Sequence, residues 1–181
     1  MFRHLLWIPL VLVAGLASAQ TPAGAVPPSG ATATLKNAQG DEVGTAIITP
    51  VQPAGGVSIK VSFRKLPPGT HALHIHTTGS CTPPEFTSAG GHFNPGGKQH
   101  GKDNPAGHHA GDLPNFEVDA KGSAQVSVNV PDVTLDESPT SLFHTGGTAL
   151  VVHGGADDNK TDPAGNAGPR IACGVIEKVK S

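Results

Sequence analysis

The chain has 181 residues, and its 12 Lys and Arg against 14 Asp and Glu give a formal net charge of −2 at pH 7. This balance excludes a generally basic surface, so nucleic acid is not expected as a partner. The length is sufficient for one domain with its own hydrophobic core.

The N-terminal segment has the parts of a secretory signal peptide. Arg3 provides a basic start, an apolar run covers residues 5–16, and the A-x-A cleavage site is at 17–19. We therefore expect residues 1–19 to be removed and the mature protein to be exported to the periplasm or the extracellular space. The apolar run is too short for a comfortable membrane span, and no other run is long enough, so no membrane partner is expected after signal removal.

Residues 20–30 are rich in Pro, Gly and Ala without periodicity, and we expect a flexible leader there, followed by one domain over residues 31–181. Apolar and polar residues alternate over residues 57–63 and 124–130, as in strands with one buried face. Turn signals separate further short strands, and they lie at 37–40, 53–56, 67–69 and 119–122. No segment has a convincing helical period, so the pattern predicts an all-β sandwich or barrel.

Two stretches, residues 77–112 and 154–169, do not fit strands, and both are rich in Gly, Pro, Asn and Asp. Loops of this length within a compact domain are usually functional or disordered. Because they contain or flank most of the candidate ligands described next, we expect both to be functional.

Six histidines and one aspartate recur in three segments, and their spacing indicates metal binding. Imidazole and carboxylate groups are ligands that suit copper and zinc. His74 and His76 are two residues apart on a predicted strand, so both rings point to the same face. His153 follows a second apolar strand, and the other donors lie in the first long loop: His92, His100, His109 and Asp112.

The four donors of the first long loop would complete a tetrahedral zinc shell without a free position, which is typical of a structural metal. If His92 also belongs to the other group, its deprotonated ring bridges two metals, with one nitrogen on copper and the other on zinc. Copper then has four nitrogen ligands and an open axial face, an arrangement that Cu(II) prefers.

Two cysteines occur, Cys81 and Cys173, and both lie in the exported part of the chain. Oxidising conditions outside the cytoplasm allow a disulfide to persist, so we predict that they are bonded. Two unrelated buried thiols are the alternative.

The chain resembles the secreted bacterial copper/zinc superoxide dismutase family. The resemblance extends from residue 31 over nearly all the remaining chain, and its segments are HALHIH (71–76), GGHFNP (90–95), HAGDL (109–113), LVVH (150–153) and GNAGPRIACGVI (165–176). It implies a Greek-key antiparallel β-sandwich or flattened barrel with two long functional loops. It also implies an oxidoreductase that dismutes the superoxide anion to oxygen and hydrogen peroxide, an antioxidant activity protecting the extracytoplasmic space.

The resemblance further implies one copper ion and one zinc ion per subunit, and it leaves the oligomeric state open, with a homodimer as one alternative. Its copper ligands correspond to His74, His76, His92 and His153. Its zinc ligands correspond to His92, His100, His109 and Asp112, so that His92 is the bridge.

Other functional groups of the family also have counterparts here. Arg170 matches the arginine that holds a small anion beside copper, and it is expected to be catalytic together with His92. Asp157 matches the carboxylate that links a copper histidine, His74, to a zinc histidine, His100. The two cysteines match the family disulfide.

The remaining histidines have simpler interpretations. His71 is expected to be a hydrogen-bonded structural residue, His108 a solvated loop residue, and His144 an ordinary loop residue. The second loop is acidic and looks poorly suited to attract an anion. We therefore expect Lys98 and Lys102 of the first loop, together with Arg170, to guide the substrate instead.

A rival function is a non-catalytic extracytoplasmic protein that sequesters copper or zinc on the same fold. Such a container needs neither an anion-holding arginine nor a shared carboxylate, whereas Arg170 and Asp157 are both present. A copper-only dismutase is a second rival, and it should lack the zinc ligands that this chain retains.

Overall fold

A computed structural model of the chain describes residues 30–179. The expected signal peptide, 1–19, and all but the last residue of the expected leader, 20–30, lie outside the described residues. The strands within this range are β1 (Ala31–Asn37), β2 (Glu42–Pro50), β3 (Val57–Phe63), β4 (Gly69–His71), β5 (Leu73–His76), β6 (Phe116–Val118), β7 (Ala124–Val130), β8 (Ala149–His153), β9 (Arg170–Val175) and β10 (Glu177–Lys178). One turn of 3-10 helix, Thr87–Ala89, is the only helical segment in this range.

The strands form one large curled sheet and one small pair. The large sheet has the order β5-β8-β9-β1-β2-β3-β7, with β10 added to β1, and β4 pairs separately with β6. All pairings are antiparallel. Because β4 leads directly into β5 and β6 leads into β7, the small pair joins the two edges of the large sheet. The expected all-β antiparallel architecture is therefore confirmed, and no helix in residues 30–179 is long and apolar enough to span a membrane.

The predicted alternation of apolar residues forms the interior of the barrel. Val57, Ile59, Val61 and Phe63 of β3 are all buried. Each such side chain contributes about 1.5–3 kcal/mol by leaving water. On β7 the two terminal apolar residues are buried, whereas the two central valines are half-buried, as expected of the strand at the edge of the large sheet.

Strands β5 and β8 place histidines on the outer face of the barrel. Leu73 and Ile75 of β5 belong to the main core, so His74 and His76 point the other way. The antiparallel register sets these histidines opposite Val151 and Ala149 of β8. All five residues of β8 are buried, because the core covers one face and the long loops cover the other.

The long loops occupy nearly the positions that the sequence predicts. The first, the metal loop (77–115), connects β5 to β6, and the second loop (154–169) connects β8 to β9. A disulfide between Cys81 and Cys173 ties the metal loop to β9 and confirms the predicted pairing. Its sequence separation is 92 residues, and closing a loop of that length stabilises by about 4–5 kcal/mol in the chain-entropy treatment.

Candidate metal centre

Two groups of four potential ligand atoms lie side by side on the outer face of β5 and β8. In each group, one atom from each residue lies within 4.8 Å of the others. The four-histidine set consists of His74, His76, His92 and His153. The aspartate set consists of His92, His100, His109 and Asp112. These are the sets that the sequence and the family resemblance indicate, and all seven residues are buried.

The metal loop reaches the strand histidines by running alongside β5. Phe93 N donates to Ile75 O at 2.8 Å, and Ile75 N donates to Gly111 O at 3.0 Å. Residue 111 must be glycine here, since a Cβ would lie 2.3 Å from Ile75 O. These bonds bring the loop histidine His92 next to His76 and the loop carboxylate Asp112 next to His74.

Hydrogen bonds at the outer ring nitrogens orient three members of the four-histidine set. His74 Nε2 lies 2.8 Å from Asp157 Oδ2, His76 Nδ1 lies 2.9 Å from Gly90 O, and His153 Nδ1 lies 3.2 Å from Gly168 O. Because each partner can only accept, each of these nitrogens carries the proton. The opposite nitrogens are therefore free lone-pair donors that face the interior of the set.

The aspartate set is arranged around one carboxylate oxygen. The Nδ1 atoms of His92, His100 and His109 lie 2.9, 3.0 and 3.2 Å from Asp112 Oδ1. The other oxygen of Asp112 accepts the main-chain N–H groups of Gly101 and His109 at 2.9 and 3.0 Å. Three ring nitrogens and one fixed carboxylate are the donors of a closed zinc site.

His92 belongs to both sets through different nitrogens. Its Nδ1 faces Asp112, whereas its Nε2 is buried without a hydrogen-bond partner in the described part of the chain. His74 Nδ1 is a second buried nitrogen without a partner there, and the centroids of these two rings are 4.0 Å apart. A buried polar atom without a partner is costly, so these inward-facing nitrogens fit a bound cation. The donor chemistry therefore fits copper at the four-histidine set and zinc at the aspartate set.

The protonation states also suit metal binding. Burial lowers the pKa of His74 to about 4, of His153 to about 3 and of His76 to about 2. Burial opposes ionisation of Asp112, but hydrogen bonds from His92 and from the main chain of Gly101 hold its pKa well below the usual range. At neutral pH these rings are neutral and the carboxylate is ionised, which are the forms that bind metals.

Asp157 connects the two sets from outside. Its Oδ2 accepts His74 Nε2 at 2.8 Å and its Oδ1 accepts His100 Nε2 at 3.0 Å. Asn115, a residue that the sequence analysis did not identify, fixes this aspartate. The Asn115 amide donates to Asp157 O at 2.8 Å and accepts from Asp157 N at 2.9 Å.

Arg170 stands at the start of β9, opposite His153 in the sheet register. Its guanidinium donates from Nη1 to Phe86 O at 2.7 Å and from Nη2 to Gly90 O at 2.6 Å. The carbonyl of Gly90 also accepts His76 Nδ1, so one main-chain oxygen of the metal loop orients both the arginine and a histidine of the four-histidine set. The sequence contains no signal for this role of Gly90.

The two predicted steering lysines lie elsewhere on the metal loop. Lys98 and Lys102 are exposed and line two adjacent grooves, of about 280 and 360 Å³, that share His108, Ala110, Pro131 and Asp132. Among the described residues that line these grooves, none belongs to the four-histidine set. Any influence of these lysines on an anion at that set is therefore through the long-range field.

The other histidines occupy structural positions. His71 is buried, with its ring nitrogens 2.8 Å from His153 O and from Pro67 O, as expected of a structural residue. His108 is half-buried and bonds the main-chain oxygen of His109. His144 stacks on Phe93 with the ring centroids 5.2 Å apart.

An antiparallel β-barrel that carries a four-nitrogen set and a three-nitrogen, one-oxygen set joined by one imidazole defines a binuclear metalloprotein. Residues 42–176 match the family described as copper/zinc superoxide dismutase (SODC), and the chain belongs to that family.

Individual relatives agree with this assignment. Superoxide dismutase (Cu-Zn) 1 of Aquifex aeolicus is 53% identical over 147 residues, which cover 80% of this chain and 86% of that protein. The Cu/Zn superoxide dismutase structure from Brucella abortus is 34% identical, covers 82% of this chain and 99% of its own, and has a TM-score of 0.66. The double-mutant structure of a SOD-like protein from Bacillus subtilis is 46% identical, covers 80% and 95%, and has a TM-score of 0.77.

Proposed function

We propose that this protein catalyses the dismutation of superoxide with copper and zinc as its cofactors. In this reaction two superoxide anions and two protons yield one oxygen molecule and one hydrogen peroxide molecule. The position of His92 carries the proposal. Its two nitrogens face two different donor sets, and its Nε2 is buried without a hydrogen-bond partner in residues 30–179.

The assignment of ligands follows donor chemistry. Four ring nitrogens suit Cu(II), so His74, His76, His92 and His153 would hold copper. A carboxylate with three ring nitrogens suits zinc in a closed site, so His92, His100, His109 and Asp112 would hold zinc. Copper supplies the one-electron redox change, and zinc supplies a fixed charge without redox chemistry.

The residues of the chain supply position and protons. Asp112 keeps Nδ1 of His92 in place, so that Nε2 is the atom that can hold and deliver a proton to the reduced substrate. Arg170 supplies a fixed cation with several N–H donors. Because two carbonyls of the metal loop hold its guanidinium, it can bind a small anion without a large loss of conformational freedom.

Loading the purified protein with both metals and assaying superoxide removal tests the proposal. We expect Arg170→Ala to lower kcat/KM about 10- to 100-fold, because a charged hydrogen bond contributes about 1.5–3 kcal/mol. Arg170→Lys should recover only part of this loss, since an ammonium group lacks the forked donors that two carbonyls orient. The copper and zinc content of all three proteins is measured in parallel.

A doubly loaded protein that removes no superoxide would contradict the proposal and leave metal sequestration as the function. Equal kcat/KM in the unchanged protein and in Arg170→Ala would contradict the role given to the arginine. Unequal metal content would instead assign the arginine to metal retention.

We also propose that the protein is exported, which is consistent with the disulfide between Cys81 and Cys173. Residues 1–19 would be the signal peptide, and the periplasm or extracellular space the destination. A homodimer remains one alternative for its assembly.

We propose that Lys98 and Lys102, together with Arg170, guide the superoxide anion to the four-histidine set. Both lysines are exposed, so their effect is electrostatic and screened by salt, with a Debye length of about 10 Å at 0.1 M ionic strength. We expect the double variant Lys98→Glu and Lys102→Glu to slow superoxide removal, with the largest effect at low ionic strength. Lys60→Glu with Lys121→Glu, two exposed lysines outside both loops, makes the same change in net charge as a control. Equal ionic-strength dependence of kcat/KM in the two double variants would contradict steering by Lys98 and Lys102.

A further inference from the structure

Four of the five outer ring nitrogens in the two sets have hydrogen-bond partners, and the fifth is Nε2 of His109. Metal-bound histidines in proteins almost always donate their second N–H to a carboxylate, a carbonyl or water. His74 and His100 use Asp157, while His76 and His153 use main-chain carbonyls. His92 has no outer nitrogen, because both of its nitrogens face donor sets. This leaves Nε2 of His109, which lies 3.9 Å from Asp162 Oδ1, close enough for attraction to the carboxylate charge but too far for a hydrogen bond.

Asp162 is fixed beside the aspartate set by a second contact. The same oxygen accepts the main-chain N–H of His100 at 2.6 Å. The carboxylate is half-exposed, at 50%, whereas the ring of His109 is 7% exposed. Asp162 therefore lies where the buried aspartate set meets solvent, and one oxygen faces two different zinc-ligand residues.

The surrounding backbone keeps the second loop against this part of the metal loop. Asn159 O accepts Asp103 N at 2.9 Å. Gly101 allows this close approach, because it has φ of +102° and a Cβ would lie 2.2 Å from Asn159 O. The packing of the two loops therefore fixes the main chain near Asp162, and the His100 N–H holds its side chain.

We propose that Asp162 is an outer carboxylate of the zinc site, which orients His109 and His100 and slows the loss of zinc. This inference rests on the proposed function and deepens it. It also accounts for the acidic composition of the second loop. Asp158 accepts main-chain N–H groups within the loop, from Lys160 and Thr161, and Asp157 and Asp162 both face the zinc ligands. The three carboxylates therefore have partners within the second loop or at the zinc-ligand residues.

The test measures zinc release from the doubly loaded protein to a chromogenic chelator. We expect Asp162→Ala to weaken zinc retention about tenfold, the lower end of the effect for such partners. Asp162→Asn should lose less, because its amide oxygen still accepts the His100 N–H while the negative charge is gone. Asp103→Asn and Asp103→Ala are the controls, since this exposed aspartate of the metal loop lies beside the second loop but makes no side-chain hydrogen bond among residues 30–179.

Cobalt(II) placed in the zinc site gives a second readout, because its visible spectrum reports ligand geometry. The spectrum should change in Asp162→Ala and stay unchanged in Asp103→Ala. Normal zinc uptake by the unchanged protein with equal retention in Asp162→Ala would overturn this inference alone. Equal losses of zinc retention in Asp162→Asn and Asp103→Asn would overturn the inference, because any nearby negative charge would then have the same effect. Failure of the unchanged protein to take up zinc would overturn the proposed function as well.

Discussion

Replacing His92 with alanine is expected to lower the rate of superoxide removal at least about 100-fold. It should also abolish the effect of zinc on the copper site. The activity falls because the variant lacks the group that can hold a proton at Nε2, and positioned acid–base groups contribute about 10²–10⁴-fold. The sites uncouple because this ring is the residue that both donor sets share. In the unchanged protein, removing zinc should alter the Cu(II) electron paramagnetic resonance spectrum. In His92→Ala, the Cu(II) spectrum should be the same with and without zinc.

His108→Ala is the matched control for this experiment. His108 is a half-buried histidine of the same loop, and its ring bonds the main-chain oxygen of His109 outside both donor sets. We expect this variant to retain both the activity and the spectral effect of zinc. If His92→Ala still shows a zinc-dependent Cu(II) spectrum, the shared-ring arrangement is wrong.

The parts of the fold that the sequence predicts are those fixed by local periodicity. Strand β3 alternates strictly, and the burial of its four apolar residues follows the pattern without correction. The second loop occupies the predicted residues, because Gly and Pro begin and end it between two apolar strands. Strand β4 has only three residues, and its pairing with β6 depends on segments about 45 residues apart, which local patterns do not specify.

The sequence patterns place His144 in a loop but do not give the bounds of a third long connection, residues 131–148 between β7 and β8. It contains turn-forming residues throughout, but it lacks the clustered ligands that drew attention to the other two loops. In the structure it packs against the metal loop, where Gly79 N donates to Gly146 O at 2.8 Å. A contact between main-chain atoms of this kind leaves no chemical signature in the sequence.

The convergence of the two groups of potential ligands could be predicted from the sequence, whereas most of the groups that orient them could not. Imidazole and carboxylate side chains are visible in a sequence, and their spacing predicts convergence. The partners of His76 and His153 are main-chain oxygens of Gly90 and Gly168, and any residue has such an oxygen. Asn115 acts on the main chain of a residue 42 positions away, so its role emerges only from the folded arrangement.

The second large effect is expected at Asp157, the carboxylate that bonds one ring from each donor set. Asp157→Asn keeps the size of the side chain but replaces one acceptor oxygen with an NH2 group that can only donate. One of the two ring N–H groups, from His74 or His100, then faces a donor. We expect zinc affinity to fall about 100-fold, the upper end for such partners, because charge and orientation are lost together. Competition with a chelator of known affinity measures the change.

Asn115→Ala separates orientation from charge in the same experiment. This variant retains the carboxylate of Asp157 but removes two hydrogen bonds to its main chain, so we expect a smaller loss of zinc affinity, about tenfold. Asn129→Ala, an exposed asparagine of β7, should bind zinc as the unchanged protein does. If Asn115→Ala weakens zinc binding as much as Asp157→Asn, the position of the Asp157 carboxylate matters more for zinc affinity than its charge. If Asp157→Asn retains zinc at the unchanged affinity, the hydrogen bonds to His74 and His100 do not stabilise the metal site, and the ligand rings are held by their own strands and loop.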